Sequence, residues 1–110
     1  MNDLLAEARR LLPNFSTGTS VVYFMRLHSG VIYIGASTDL EQRLADHVAG
    51  VGCRTTLLDP PATLLRLETF TTFVEARSRE TQLKRWSRAK KEALIAGNFE
   101  RLQLLSRSRY

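Results

Sequence analysis

Cysteine is nearly absent: the 110-residue chain has one, Cys53, alongside two histidines. A single thiol forms no internal disulfide, and one cysteine with two histidines offers no zinc-site spacing. Oxygen ligands and a hard divalent ion are the metal chemistry that remains. Free cysteine behaves as a small apolar residue, so Cys53 is expected to be buried or half-buried rather than a nucleophile. Long apolar runs are lacking as well. Met1 to Leu12 carries Asp3, Glu7, Arg9 and Arg10 at helical spacing, so neither a membrane span nor a signal peptide fits, and a cytoplasmic protein is expected. With 44% hydrophobic and 25% charged residues, 110 residues make one soluble domain, 1–110, with one modest core. Acidic residues are scarce in the last third. From Ala76 to Tyr110 ten basic residues face three acidic ones, +7, whereas Met1 to Glu75 sums to −2. That asymmetry fits a polyanionic partner, because Lys and Arg that neutralise phosphates release counterions and give affinity without a base sequence. A solvated basic helix face would have the same composition.

What is present orders itself along the chain. Leu4, Leu5, Ala8, Leu11 and Leu12 recur at helical spacing, and Pro13 with the polar run after it stops that helix. Ser20 to Leu27 and Val31 to Gly35 are rich in β-formers, and His28-Ser29-Gly30 between them reads as a three-residue hairpin loop. In that register Tyr23 faces Gly35, Tyr23 and Tyr33 share a sheet face, and Gly35 leaves space beside them. His28, in the turn, faces solvent. Thr38 and Glu41 match a capping box for a helix from about Asp39 to Val48, on which Leu40, Leu44 and Val48 form an apolar stripe and Arg43 and His47 are neighbours at its edge. Gly50-Val51-Gly52 ends that helix, and a loop leads to a third strand, about Thr63 to Phe70, at a half-buried sheet edge. The spacing then predicts one long helix from Phe73 to Ala96, free of Pro and Gly, and a short one from Phe99 to about Ser106. The fold class is α+β, a small three-stranded antiparallel sheet flanked by helices.

One residue of the long helix is out of place. With Ala76, Leu83, Trp86 and Leu94 inward, Glu80 lies inside the apolar stripe, where an ionised carboxylate needs a cation, firm hydrogen bonds or a cleft. A salt bridge to Arg43 or another base would satisfy it, and so would a metal ion.

The ordered set Val21-Val22-Tyr23, Tyr33-Ile34-Gly35, Arg43, His47 and Glu80 resembles the GIY-YIG nuclease family. Gly50 to Cys53, Ala62 to Phe70 and Arg79 to Gly97 look like its small, single-domain bacterial branch, and the resemblance spans Ser20 to Asn98, leaving out the N-terminal helix and the tail. Val21 stands where the first motif has its glycine, and Ala36 where some repair-enzyme relatives carry a lysine. The resemblance implies a metal-dependent DNA endonuclease that cuts phosphodiester bonds by one-step, in-line attack of water. In that scheme Glu80 ligates one Mg²⁺ or Mn²⁺, and Arg43 grips non-bridging phosphate oxygens. Tyr33 is the general base with Tyr23 as its hydrogen-bonded partner, or the reverse. His47 relays a proton, orients a tyrosine hydroxyl, or is a structural helix-edge histidine. Trp86 is expected in the core. Lys84, Arg85, Arg88, Lys90 and Lys91 are expected to contact DNA phosphates, giving weak sequence preference or recognition of DNA structure. A non-catalytic nucleic-acid-binding module and an RNA-directed nuclease share these features.

Overall fold

The computed structural model describes residues 3–107. α1 (Leu4–Leu11) starts at Asp3, whose carboxylate accepts from the Ala6 amide at 3.0 Å. Three antiparallel strands follow, β1 (Ser20–Leu27), β2 (Ile32–Ser37) and β3 (Pro61–Phe70), in the order β2-β1-β3. β1 is central and covered on both faces, so every residue of it except half-buried Arg26 is buried. Alternation along β1 splits the core in two. Val21, Tyr23 and Met25 pack with Leu4 and Ala8 of α1 and with Leu40 and Leu44 of the helix after β2, α2 (Leu40–Ala49). Val22 and Phe24, with Ile34 of β2, meet Ala76, Leu83 and Leu94 from the helices on the opposite face. Each Val, Leu, Ile, Phe or Met among them contributes about 1.5–3 kcal/mol when fully buried. The expected register holds, with Tyr23 opposite Gly35 and β3 at an edge.

Four details differ from the sequence expectation. α2 (Leu40–Ala49) is capped by Asp39, not Thr38: the Asp39 carboxylate accepts from the Gln42 amide at 3.3 Å, and aspartate outranks threonine as an N-cap. The expected capping box is instead found at Thr72 and Glu75. Val48 is 55% exposed, and His47 takes the inward position beside Leu44. The segment read as a loop contains a short helix, α3 (Arg54–Leu58).

The fourth difference matters most. The long helix is two helices, α4 (Phe73–Lys84) and α5 (Arg88–Ile95). Ser87 takes an extended conformation, φ −65° and ψ 160°, and its side chain accepts from the Lys90 amide, capping α5. The Trp86 amide closes the last turn of α4 on the Leu83 carbonyl at 3.0 Å. Serine competes with helix continuation in this way because its hydroxyl replaces a backbone partner. α6 (Phe99–Arg107) ends the described chain. No helix among the described residues is long and apolar enough to cross a membrane.

Candidate active site

Tyr23 is fully buried on β1, and its ring lies across Gly35 of β2: a Cβ on Gly35 would sit 2.3 Å from the Tyr23 hydroxyl oxygen and 2.4 Å from Cζ. Glycine is required there by contact alone. The Tyr23 hydroxyl lies 2.7 Å from Nε2 of His47 and 3.3 Å from Nε of Arg43. His47 and Arg43 are one turn apart on α2, so a single helix face delivers both to the tyrosine.

The donors and acceptors in this cluster form one directed chain. The Thr56 hydroxyl donates to the Cys53 carbonyl at 3.4 Å, so its oxygen accepts from Nδ1–H of His47 at 2.9 Å. Nε2 then bears no hydrogen and accepts the Tyr23 O–H, while the Tyr23 oxygen accepts from Arg43. Burial, reinforced by the Arg43 charge, lowers the His47 pKa to about 4, so the ring is neutral at pH 7 as this chain requires. Burial likewise raises the Tyr23 hydroxyl above its ordinary range, against the opposing hydrogen bond and charge of Arg43.

Tyr33 projects from β2 onto the same face. Its ring centroid lies 6.3 Å from that of Tyr23 and 5.1 Å from that of His47. The hydrogen bond expected between Tyr33 and Tyr23 is not formed; each tyrosine has its own partner. The Tyr33 hydroxyl meets Cys53 Sγ at 3.5 Å. Burial and that contact hold the Tyr33 pKa well above its ordinary value. Burial pushes the Cys53 thiol up, but hydrogen bonds from Tyr33 and Thr56 outweigh it and leave the thiol at about 7. Tyr33 is half-buried where Tyr23 is sealed, so it is the tyrosine that solvent and substrate can meet.

Arg43 is half-buried, and among the described residues no carboxylate pairs with it. Gly52 lies close above its guanidinium, where a Cβ would be 3.3 Å from Nη1. Cys53, Thr56 and Gly52 join this cluster although each lies in a stretch read as loop, and none was expected among the site residues. The only cue was the three-residue spacing from Cys53 to Thr56, at which a threonine side chain can close a turn.

Glu80 arrives from elsewhere. α4 packs against β1 and edge strand β2, and its buried residues join the core on the face opposite Tyr23. Its carboxylate is 13% exposed and is held by Lys84 Nζ at 3.0 Å and Arg77 Nε at 3.5 Å, not by Arg43. No hydrogen bond or ion pair among the described residues joins it to the tyrosines, Arg43 or His47, although its charge acts on the Tyr23 hydroxyl. Four of the five expected site residues thus touch one another, and the fifth stands apart.

Among the described residues no three His, Cys, Asp or Glu side chains gather as a metal site. The donor set fits a single-carboxylate ion: Glu80 offers hard oxygens, Mg²⁺ keeps several waters, and Arg77 and Lys84, 65% and 55% exposed, are free to turn away.

The basic residues expected to meet DNA are divided by the helix break. Lys84 pairs with Glu80, and Arg88 donates to the Gly30 carbonyl at 3.0 Å and lies 3.4 Å from Glu92. Lys91 lies beside Arg88, Val31 and Ile32. Lys90 lies over the Trp86 ring, and Arg85 is exposed. Trp86 is only half-buried, packed against the core.

Comparison with known proteins supplies the context. A UPF0213 protein of Halobacterium salinarum is 42% identical over 74 residues, covering 67% of this chain and 96% of its own length. A UPF0213 protein of Streptococcus pneumoniae is 36% identical over 80 residues, covering 73% of this chain and 81% of its own. The solution NMR structure of a UPF0213 protein from Bacillus halodurans is 32% identical, covers 71% of this chain and 83% of that one, and superposes with a TM-score of 0.48. The family model of the GIY-YIG catalytic domain matches residues 19–93, from the residue before β1 into α5, and with it the chain belongs to the GIY-YIG nuclease family.

Proposed function

We propose that this protein is a metal-dependent DNA endonuclease that hydrolyses phosphodiester bonds in one step, acting in DNA repair or processing with structural or weak sequence preference. The observation that carries the proposal is Arg43: a half-buried guanidinium beside two tyrosines, with no carboxylate among the described residues to compensate it. A partly desolvated cation with no partner is costly unless an anion completes it, and a phosphate supplies the two oxygens its fork of donors matches.

The residues divide the work. Tyr23, sealed and bound to His47, is a positioning residue that fixes Arg43 by accepting from Nε. Arg43 holds non-bridging oxygens and stabilises the charge that grows on them in the transition state. Tyr33, the accessible tyrosine, orients the attacking water and takes its proton as the oxygen–phosphorus bond forms and the bond to the 3′ oxygen breaks. Its raised pKa makes it a poor base in the protein alone, so phosphate-site cations must stabilise the phenolate. Mg²⁺ or Mn²⁺ bound at Glu80 would supply part of that charge and offset charge on the leaving oxygen.

The test is incubation of purified protein with labelled single-stranded, duplex and branched DNA and with RNA, each in Mg²⁺, Mn²⁺ or EDTA. Cut DNA in metal and none in EDTA is expected. Binding without a cut product in any condition would reduce the chain to a nucleic-acid-binding module, and cutting of RNA alone would change the substrate class.

A further inference from the structure

The break between α4 and α5 opens a cavity of about 600 Å³, lined by Ser78, Thr81, Gln82, Arg85, Trp86, Ser87 and Lys90. No acidic residue lines it. Its lining includes the chain's only tryptophan. Trp86 is half-buried against the core, and two cations attend the ring: Lys90 Nζ at 4.4 Å from the centroid and the Arg79 guanidinium at 5.3 Å. They differ in freedom. Arg79 is locked to Glu68 at 2.8 and 3.2 Å and to Gln82 at 3.0 Å, so it is a fixed part of the platform. Neither Lys90 nor Arg85 has a carboxylate partner among the described residues.

An adjoining depression of about 440 Å³ shares Ser78 and Thr81 and is lined by Phe73, Val74 and Arg77, the Arg77 guanidinium lying 6.0 Å from the Phe73 ring. The outer face of α4 is therefore a continuous track about 18 Å long at the helical rise per residue, with an aromatic ring and a cation at each end.

We infer that this track binds an unpaired DNA strand, with a base stacked on Trp86 and the flanking phosphates on Arg85 and Lys90. Stacking on an aromatic platform within a basic groove is how single strands are held without reading sequence, and a base inside a duplex is already stacked on both faces. The lysine over the ring is displaced to the phosphate as the base takes its place, so the cation stays close to the strand. Ser78, Thr81, Gln82 and Arg85 recur at helical spacing on the side of α4 away from buried Ala76 and Leu83, while Glu80 borders that buried side. A strand held here leaves the tyrosine cluster free for a scissile phosphate. That pairing of roles rests on the proposed nuclease function; the binding itself does not.

As the sole tryptophan, Trp86 reports on its own site. The wild-type protein in EDTA, which prevents cleavage, is titrated with a short oligo-dT and, at equal phosphate concentration, with a long blunt duplex that has no unpaired base and few end pairs, while tryptophan emission is followed. Saturable quenching by oligo-dT and little change with duplex are expected. Trp86→Leu should weaken oligo-dT binding about tenfold, as loss of one stacked base does, leave duplex binding unchanged, and be largely rescued by Trp86→Phe. Lys90→Gln and Arg85→Gln, at a half-buried and an exposed position outside the core, should each weaken oligo-dT binding as well. Equal quenching by both DNAs, no quenching, or wild-type oligo-dT affinity in these variants would overturn the inference. A protein that cuts nothing in metal but shows the quenching would instead fail the nuclease proposal alone.

Discussion

Replacing Gly35 with alanine should damage the site more than any other single methyl added to the sheet. The backbone at Gly35 does not need positive φ, so the whole cost comes from contact. The new Cβ would meet three Tyr23 atoms at 2.3, 2.4 and 2.9 Å, and Tyr23 has no room to retreat, being fully buried and bonded to His47 and Arg43. Overpacking of this kind costs about 1–3 kcal/mol. Displacing the hydroxyl also leaves Nε2 of His47 buried without its donor, a further loss of about 1–3 kcal/mol. Gly35→Ala should therefore lose about 2–6 kcal/mol, read as a lower denaturation midpoint at unchanged slope and a melting temperature depressed by roughly 10 °C or more. Cleavage should fall further than stability, measured at a temperature where both proteins are folded, because Arg43 loses its tether. A Gly35→Ala protein within about 0.5 kcal/mol of wild type, inside the usual scatter of neutral changes, would refute the packing of Tyr23 on Gly35.

Two more outcomes follow from the geometry. His47 has a folded pKa of about 4 against an ordinary 6.5, so the folded protein binds fewer protons than the unfolded chain between those values. Its contribution to stability is complete above about pH 6.5 and is lost as pH falls towards 4, by about 3 kcal/mol; urea unfolding across that range should show the loss in wild type and a flatter profile in His47→Gln. Neutralising Lys84, Arg85, Arg88 and Lys91 together should weaken duplex binding and flatten its salt dependence by roughly one unit per lost phosphate contact. The share from Arg88 should be the smallest, since Gly30 and Glu92 already hold it, and an unchanged slope would move the duplex surface elsewhere.

The hairpin was legible in the sequence because strand parity and a three-residue turn leave one register, and Tyr23 opposite Gly35 follows from it. The parts that were not legible depend on local competition that composition does not display. Ser87 ends a run of helix formers by offering its side chain to one amide. Asp39 displaces its neighbour Thr38 as cap. His47 is buried where Val48 was expected because Thr56 and Tyr23 satisfy both ring nitrogens, so an imidazole costs less there than its polarity implies. The inward place of Glu80 was visible from helix phase, but its partners were not: Lys84 and Arg77, one turn away on the same helix, reach it at less entropic cost than Arg43 on α2.

Those local partners make Glu80→Gln the decisive measurement for the proposed mechanism. The ion pairs it removes are with exposed cations at i,i+4 and i,i+3 and contribute only a few tenths of a kcal/mol each. Thermal unfolding should therefore be nearly unchanged, and DNA binding retained or slightly strengthened once a negative charge is gone. Cleavage of labelled DNA at matched Mg²⁺ or Mn²⁺ should almost vanish, because the carboxylate that would hold the ion is absent. A Glu80→Gln protein that cuts at near wild-type rate would remove Glu80 from the site and contradict the metal-dependent mechanism built on it.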